Sequence, residues 1–228
     1  MFEETSIQDR LINFMYGVYG LMTGALTLTA ITAYFVSQIP NIAATLFGSP
    51  LLVTLIFIGQ LALVIALSLT IQRLTFAMAL AMFLAYSISM GITLSAIFLV
   101  YTQGSIVLAF SISAGMFGAM TIYGYLTGTD LTKIGNVMVM GLWGLIIAML
   151  VNLFVQSSQL DLLLSAAGVV IFTVLTAYDT QKIKQLGIHM VENDEMMAKV
   201  AVLGALTLYL DFVNLFLLLL RFVGRRRD

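Results

Sequence analysis

No cysteine occurs in the 228 residues, which removes disulfides, thiolate nucleophiles and cysteine metal sites together. The single histidine, His189, has no second histidine with which to hold a metal and is expected in solvent. Charge is scarce as well: Asp, Glu, Lys and Arg make up 9% of the chain, against 61% hydrophobic residues and a mean hydropathy of +1.07. That is more apolar side chain than one water-soluble core can bury. A net charge of −1, with no basic stripe carrying interleaved aromatics, argues against nucleic acid as a partner. The expected partner is the lipid bilayer.

The few charges are segregated. Nothing ionisable at neutral pH lies between Arg10 and Arg73, between Arg73 and Asp130, or between Lys133 and Asp161. A helix rises about 1.5 Å per residue, so about 20 apolar residues cross a hydrocarbon slab roughly 30 Å thick. The first two gaps therefore hold two helices each and the third holds one. Turn formers divide the long gaps: Ser37, Gln38, Pro40 and Asn41 in the first, Tyr101, Thr102, Gln103 and Gly104 in the second. The expectation is an all-α integral membrane protein, a single transmembrane domain over residues 1–228. Its seven segments run roughly from 12 to 35, 50 to 71, 76 to 99, 105 to 127, 135 to 155, 161 to 183 and 200 to 222.

The opening MFEETSIQDR is net acidic and lacks the basic flank of a signal peptide, so the first segment is expected to stay in the mature protein. Arg10, Arg73, Lys133, Lys182, Lys184 and Lys199 fall at the N-terminus or after segments two, four and six, while the loops after one, three and five have no basic residue. The positive-inside rule then makes the N-terminus cytoplasmic. Arg221, Arg225, Arg226 and Arg227 would emerge on the other face. A re-entrant seventh segment turning at Asp211 would gather all ten on one side. Residues 200 to 222 contain no proline and only Gly204, however, and irregular backbone at membrane depth needs enclosure by protein. A full crossing is expected.

Asp211 interrupts the run LYLDFVNLFLLLLRF, about 12 residues from Lys199 and about 10 from Arg221, which puts it near mid-membrane. An ionised carboxylate there costs at least about 2.5 to 3.5 kcal/mol, so it should not face lipid. Gly204, Thr207, Asp211 and Asn214 recur at intervals of three and four, forming one small, polar stripe. A second acid, Asp179, lies in TAYDTQKIK with Thr176 on its face and Lys182 one turn on. Segments six and seven are consecutive and antiparallel, joined by a loop with His189, Glu192, Asp194 and Glu195, so the two acids can meet. Two carboxylates in a low-dielectric site cannot both ionise comfortably. They are expected to share one proton and act as a pH sensor. Fully deprotonated, the pair is a hard-oxygen site of the kind calcium prefers, short of the usual six to eight ligands. Thr207, Asn214, backbone carbonyls or water would supply the rest. The bland alternatives are an interfacial Asp179 paired with Lys182, and a protonated Asp211 bonded to a neighbouring helix.

Weaker features read as packing. Gly20 with Gly24, and Gly124 with Gly128, have the spacing that lets membrane helices approach closely. Fourteen scattered methionines are adaptable filling, and Trp143 is ordinary for a membrane protein.

TAYDTQKIK at 176–184, GALTLYLDFVNLFLLLLRFVG at 204–224 and AGMFGAMTIYGYLTGTDL at 114–131 together resemble the Bax inhibitor-1 family, particularly its bacterial branch. The resemblance spans essentially the whole chain. It implies seven helices with the last central among the other six, and a calcium leak that responds to pH, with Asp179 and Asp211 in the positions of the family's two motif aspartates. It also implies an inner (cell) membrane location. One departure stands out: some members latch the acids with a basic residue in the second helix, and here Gln60 occupies mid-depth while Arg73 lies near the end. Gating is then expected to rest on the shared proton and neutral hydrogen bonds.

Three functions compete. The first is a pH-sensitive calcium leak gated by Asp179 and Asp211, with Thr207, Asn214 and Gln60 along the cation path and calcium bound only in transit. The second is a regulatory protein without transport of its own, acting on a membrane protease or a stress or cell-death partner, as the resemblance also suggests. The third is an intramembrane aspartyl protease. Tyr178-Asp179 matches the YD half of that pattern, but bulky Leu208, Tyr209 and Leu210 precede Asp211 where a GxGD glycine pair would clear room for substrate. No zincin, serine-elbow or phosphate-loop motif is present either. A non-enzymatic role without a cofactor is expected.

Overall fold

The computed structural model describes residues 2–42, 45, 48–190 and 193–225, of which 2–6 are described in backbone only. Glu192, Arg226 and Arg227, counted above among the loop and tail charges, lie outside the described residues. Among the described residues seven long helices account for the fold: α1 Phe2–Ser37, α2 Pro50–Thr70, α3 Phe76–Val100, α4 Gln103–Leu126, α5 Thr132–Val155, α6 Ser158–His189 and α7 Asp194–Val223. Each is long and apolar enough to cross a membrane, and the described residues contain no strand. That outcome follows from the solvent, since a helix satisfies its own backbone hydrogen bonds where water cannot.

Local sequence sets the helix ends. Ser49 accepts from Leu52 N–H and Pro50 opens α2, the arrangement in which the missing proline N–H matters least. Thr102 caps α4 through Ser105 N–H. Gln156 ends α5 in the left-handed region (φ 53°), and Asn152 clasps the turn by accepting from Ser157 N–H and donating to Ser157 C=O. The connection from α6 to α7 is shorter than the expected segments left it. Polar turns continue both helices beyond the apolar span, with His189 in the last turn of α6, Asp194 and Glu195 in the first turn of α7, and Asn193 capping Met196 N–H. His189 itself is exposed.

Helix α7 differs from the rest. Of its most apolar window 72% is buried, against 6% for α5 and 11% for α2. Helices α2 and α5 instead expose large apolar side chains such as Leu69, Trp143 and Phe154, which suits contact with acyl chains. It is also helical without interruption from Asp194 to Val223, so no re-entrant turn occurs at Asp211.

The chain divides into two compact units, with α6 and α7 contributing to both. One holds α1 to α3 and Gln185–Tyr209. There α1 meets α3 at Gly91, where a Cβ would strike Thr32 and the Thr29 carbonyl. Tyr209, fully buried, stacks edge-on against Phe83 and Tyr86 at 5.7 and 5.8 Å. The other holds Tyr101–Lys184 and the segment from Leu210 onward. Phe212 packs between Phe110 and Phe117 of α4, and Gly168 of α6 admits Leu218 of α7.

The glycine pairs separate. A Cβ on Gly124 would press into the Ala177 backbone, so α4 approaches α6 there, and Gly135 likewise makes room for the Tyr178 ring. Gly20, Gly24 and Gly128 have nothing within 4 Å of a Cβ among the described residues. Spacing alone does not distinguish a contact glycine from one facing open space.

Candidate functional site

The second unit brings the two intramembrane acids together. Asp179, about ten residues before the end of α6, is half-buried, and Asp211 of α7 is 5% exposed. Their carboxyl groups are within hydrogen-bonding reach of each other. Asp211 Oδ2 is enclosed and meets no hydrogen-bond partner among the described residues. Two carboxyl groups form a hydrogen bond only if one holds a proton.

The surroundings fix Asp179 from its own helix outward. Gly124 and Gly135 let α4 and α5 close on Ala177 and Tyr178, the two residues before it. Two residues beyond it, Gln181 donates to Thr129 C=O at 2.8 Å and accepts from Leu131 N–H at 2.9 Å, tying α6 to the connection between α4 and α5. Lys184 donates to Tyr125 C=O at 2.8 Å and lies 4.7 Å from that residue's ring centroid. Lys182 lies over the Tyr178 ring, 5.8 Å from its centroid, and forms no salt bridge with Asp179 among the described residues. Thr176, fully buried, gives its hydroxyl proton to Phe172 C=O.

The other candidate residues are placed differently. Gly204 and Asp211 are buried, whereas Thr207 and Asn214 are half-buried and fall with Leu203, Leu210 and Leu217 on the more accessible stripe of α7. Thr207 donates to Leu203 C=O and Asn214 to Leu210 C=O, each within its own helix turn. Gln60, in the first unit, is buried and donates to Ser89 at 3.2 Å and Thr93 at 2.8 Å, binding α2 to α3. Gln181 and Thr180 are residues that sequence reasoning passed over. Thr180 is fully buried with its hydroxyl unpartnered among the described residues, and its position beside Asp179 in TAYDTQ was the available signal.

The family model described as Inhibitor of apoptosis-promoting Bax1 matches residues 11–228. This chain belongs to the Bax inhibitor-1 family. Among Bax inhibitor-1 relatives, it is 46% identical to "Inner membrane protein YbhL" of Escherichia coli, over 98% of this chain and 97% of the relative. It is 48% identical to a protein of Borreliella burgdorferi, over 94% and 93% of the two chains. Identity to YrjE of Lactococcus lactis is 36%, over 95% and 92%. The match is thus end to end, and both acid-bearing helices lie inside the Bax inhibitor-1 region.

Proposed function

We propose that this Bax inhibitor-1 protein is a pH-sensitive calcium leak, with the proton shared by Asp179 and Asp211 as its gate. The observation that carries the reading is the contact of the two carboxyl groups, with Asp211 Oδ2 enclosed and unpartnered. With one proton the pair is a neutral-acid to carboxylate hydrogen bond that ties α6 to α7. Without it two anions face each other in an enclosed site, and like charges at contact destabilise the packing that holds them. The same deprotonated pair attracts a divalent cation. Two carboxylates supply only part of calcium's six to eight oxygens, so binding is transient, as conduction requires. Thr207 and Asn214, on the accessible stripe of α7, are the residues we assign along the path, and Gln60 is a third.

The name of the Escherichia coli relative supports a bacterial inner membrane location. Basic residues between the helices then favour a cytoplasmic N-terminus. Purified protein reconstituted alone into vesicles loaded with a calcium-sensitive dye tests the reading. Calcium entry that depends on pH in wild type, and not in Asp179→Asn or Asp211→Asn, is the expected result.

A second reading is a regulator of a membrane protease or of a stress or cell-death partner, with no transport of its own, and the family description favours the cell-death form. Protein that carries no calcium in the same vesicles would support it in place of the leak.

A further inference from the structure

The second unit has a cavity far from the acid pair, at the end where α4 and α6 begin and α5 and α7 finish. Its volume is about 490 Å³, within the range of small-molecule sites. Arg221 and Asp161 supply its charge, while Ile146, Leu150 and Leu153 of α5 and the ring of Tyr101 form its walls. Arg221 Nη1 donates to Asp161 Oδ1 at 3.1 Å, and the two side chains are 45% and 39% exposed. That one contact leaves Asp161 Oδ2 and most of the five guanidinium donors without a partner among the described residues.

The frame around it is fixed. Thr102 N–H donates to Arg225 C=O, and Arg225 N–H donates to Ser105, which ties the chain after α7 to the start of α4. Asn152 and Ser157 lock the α5–α6 turn. On α5, Ile146, Leu150 and Leu153 recur at four and three residues, so they form one stripe running down from the cavity, and each is exposed. A charged pair at the helix ends above an exposed apolar stripe is the layout of a lipid headgroup above its acyl chain.

We propose that this cavity binds a zwitterionic phospholipid with an ethanolamine headgroup. Its phosphate lies on Arg221, its ammonium on Asp161, and an acyl chain runs along Ile146, Leu150 and Leu153. Charge complementarity selects this occupant. An anionic lipid satisfies Arg221 but brings its charge against Asp161, whereas phosphate and ammonium together match both partners. A choline headgroup carries the same charges but no N–H to donate to the carboxylate.

The test uses the full-length protein reconstituted in vesicles of equal parts phosphatidylcholine, phosphatidylethanolamine and phosphatidylglycerol, then released and weighed by native mass spectrometry. Wild type is expected to retain phosphatidylethanolamine over each of the other two by roughly threefold, the discrimination that a partly exposed ion pair supplies. Arg221→Gln and Asp161→Asn should each lose that preference while keeping the helical circular dichroism of wild type. Equal retention of the three lipids by wild type, or preferred retention of phosphatidylglycerol, would overturn the proposal. So would an undiminished preference in folded Arg221→Gln. The wild-type comparison alone decides the matter if a variant does not fold.

Discussion

Asp211 of α7 lies against Asp179 of α6, and its Oδ2 is enclosed with no hydrogen-bond partner among the described residues. In a helix whose apolar window is 72% buried, an enclosed carboxyl oxygen is costly unless a proton, a cation or a water reaches it.

The first unit contains a different kind of junction, Tyr209 with Thr29. Thr29 donates its one hydroxyl proton to Ser87 C=O at 2.9 Å, so Tyr209 must be the donor in the 2.7 Å bond between their hydroxyls. Tyr209→Phe removes a single bond and is expected to destabilise by about 1 kcal/mol. Thr29→Val leaves the buried Tyr209 hydroxyl without its acceptor and should cost about 1 to 3 kcal/mol. Thermal unfolding in detergent, measured on both variants, should rank them in that order.

Glycine substitutions separate contact from spacing. Gly124→Ala drives a methyl into the Ala177 backbone, next to the residues that carry Asp179, and should lose about 1 to 3 kcal/mol of stability. Gly20→Ala meets nothing within 4 Å among the described residues and should stay within about 0.5 kcal/mol of wild type. Melting temperatures of the two variants check this.

Outside the membrane-spanning segments, Asp130 accepts from Thr132 N–H at 2.9 Å at the start of α5. Its carboxyl is held below the ordinary value of 3.8 by hydrogen bonds from the Thr132 side chain and backbone, with the Lys133 charge adding to them. A lowered value in the folded state means that the stabilisation is in full force above 3.8 and fades as pH falls below it. Asp130→Asn should therefore melt below wild type at neutral pH, with the difference shrinking in acid. A gap that stays constant with pH would contradict the assignment.

Much of the fold is legible in the sequence because charge is so sparse. Long apolar stretches without an ionisable residue mark the membrane spans and the short turns between them, and Asp211 draws notice because so little else in the apolar part of α7 is polar. The helix ends are less legible: α6 and α7 run on through polar residues that sit well in helix termini, past the point where hydropathy marks a boundary. The role of each glycine is not legible, since Gly20 and Gly124 have the same spacing and different neighbours. Nor are Gln181 and Tyr209, whose hydrogen bonds reach 50 and 180 residues along the chain. The stripe of Gly204, Thr207, Asp211 and Asn214 divides for a related reason. Helical spacing groups residues on a face, but the width of the neighbours decides how deeply each one is covered.

Calcium flux into vesicles that contain only this protein, followed from about pH 5 to about pH 8, tests the shared-proton gate most directly. Wild type should show a rate that changes with pH, and Asp211→Asn, which keeps the size of the side chain but cannot release the proton, should show a flat profile. A variant whose flux follows the wild-type pH curve would contradict the account.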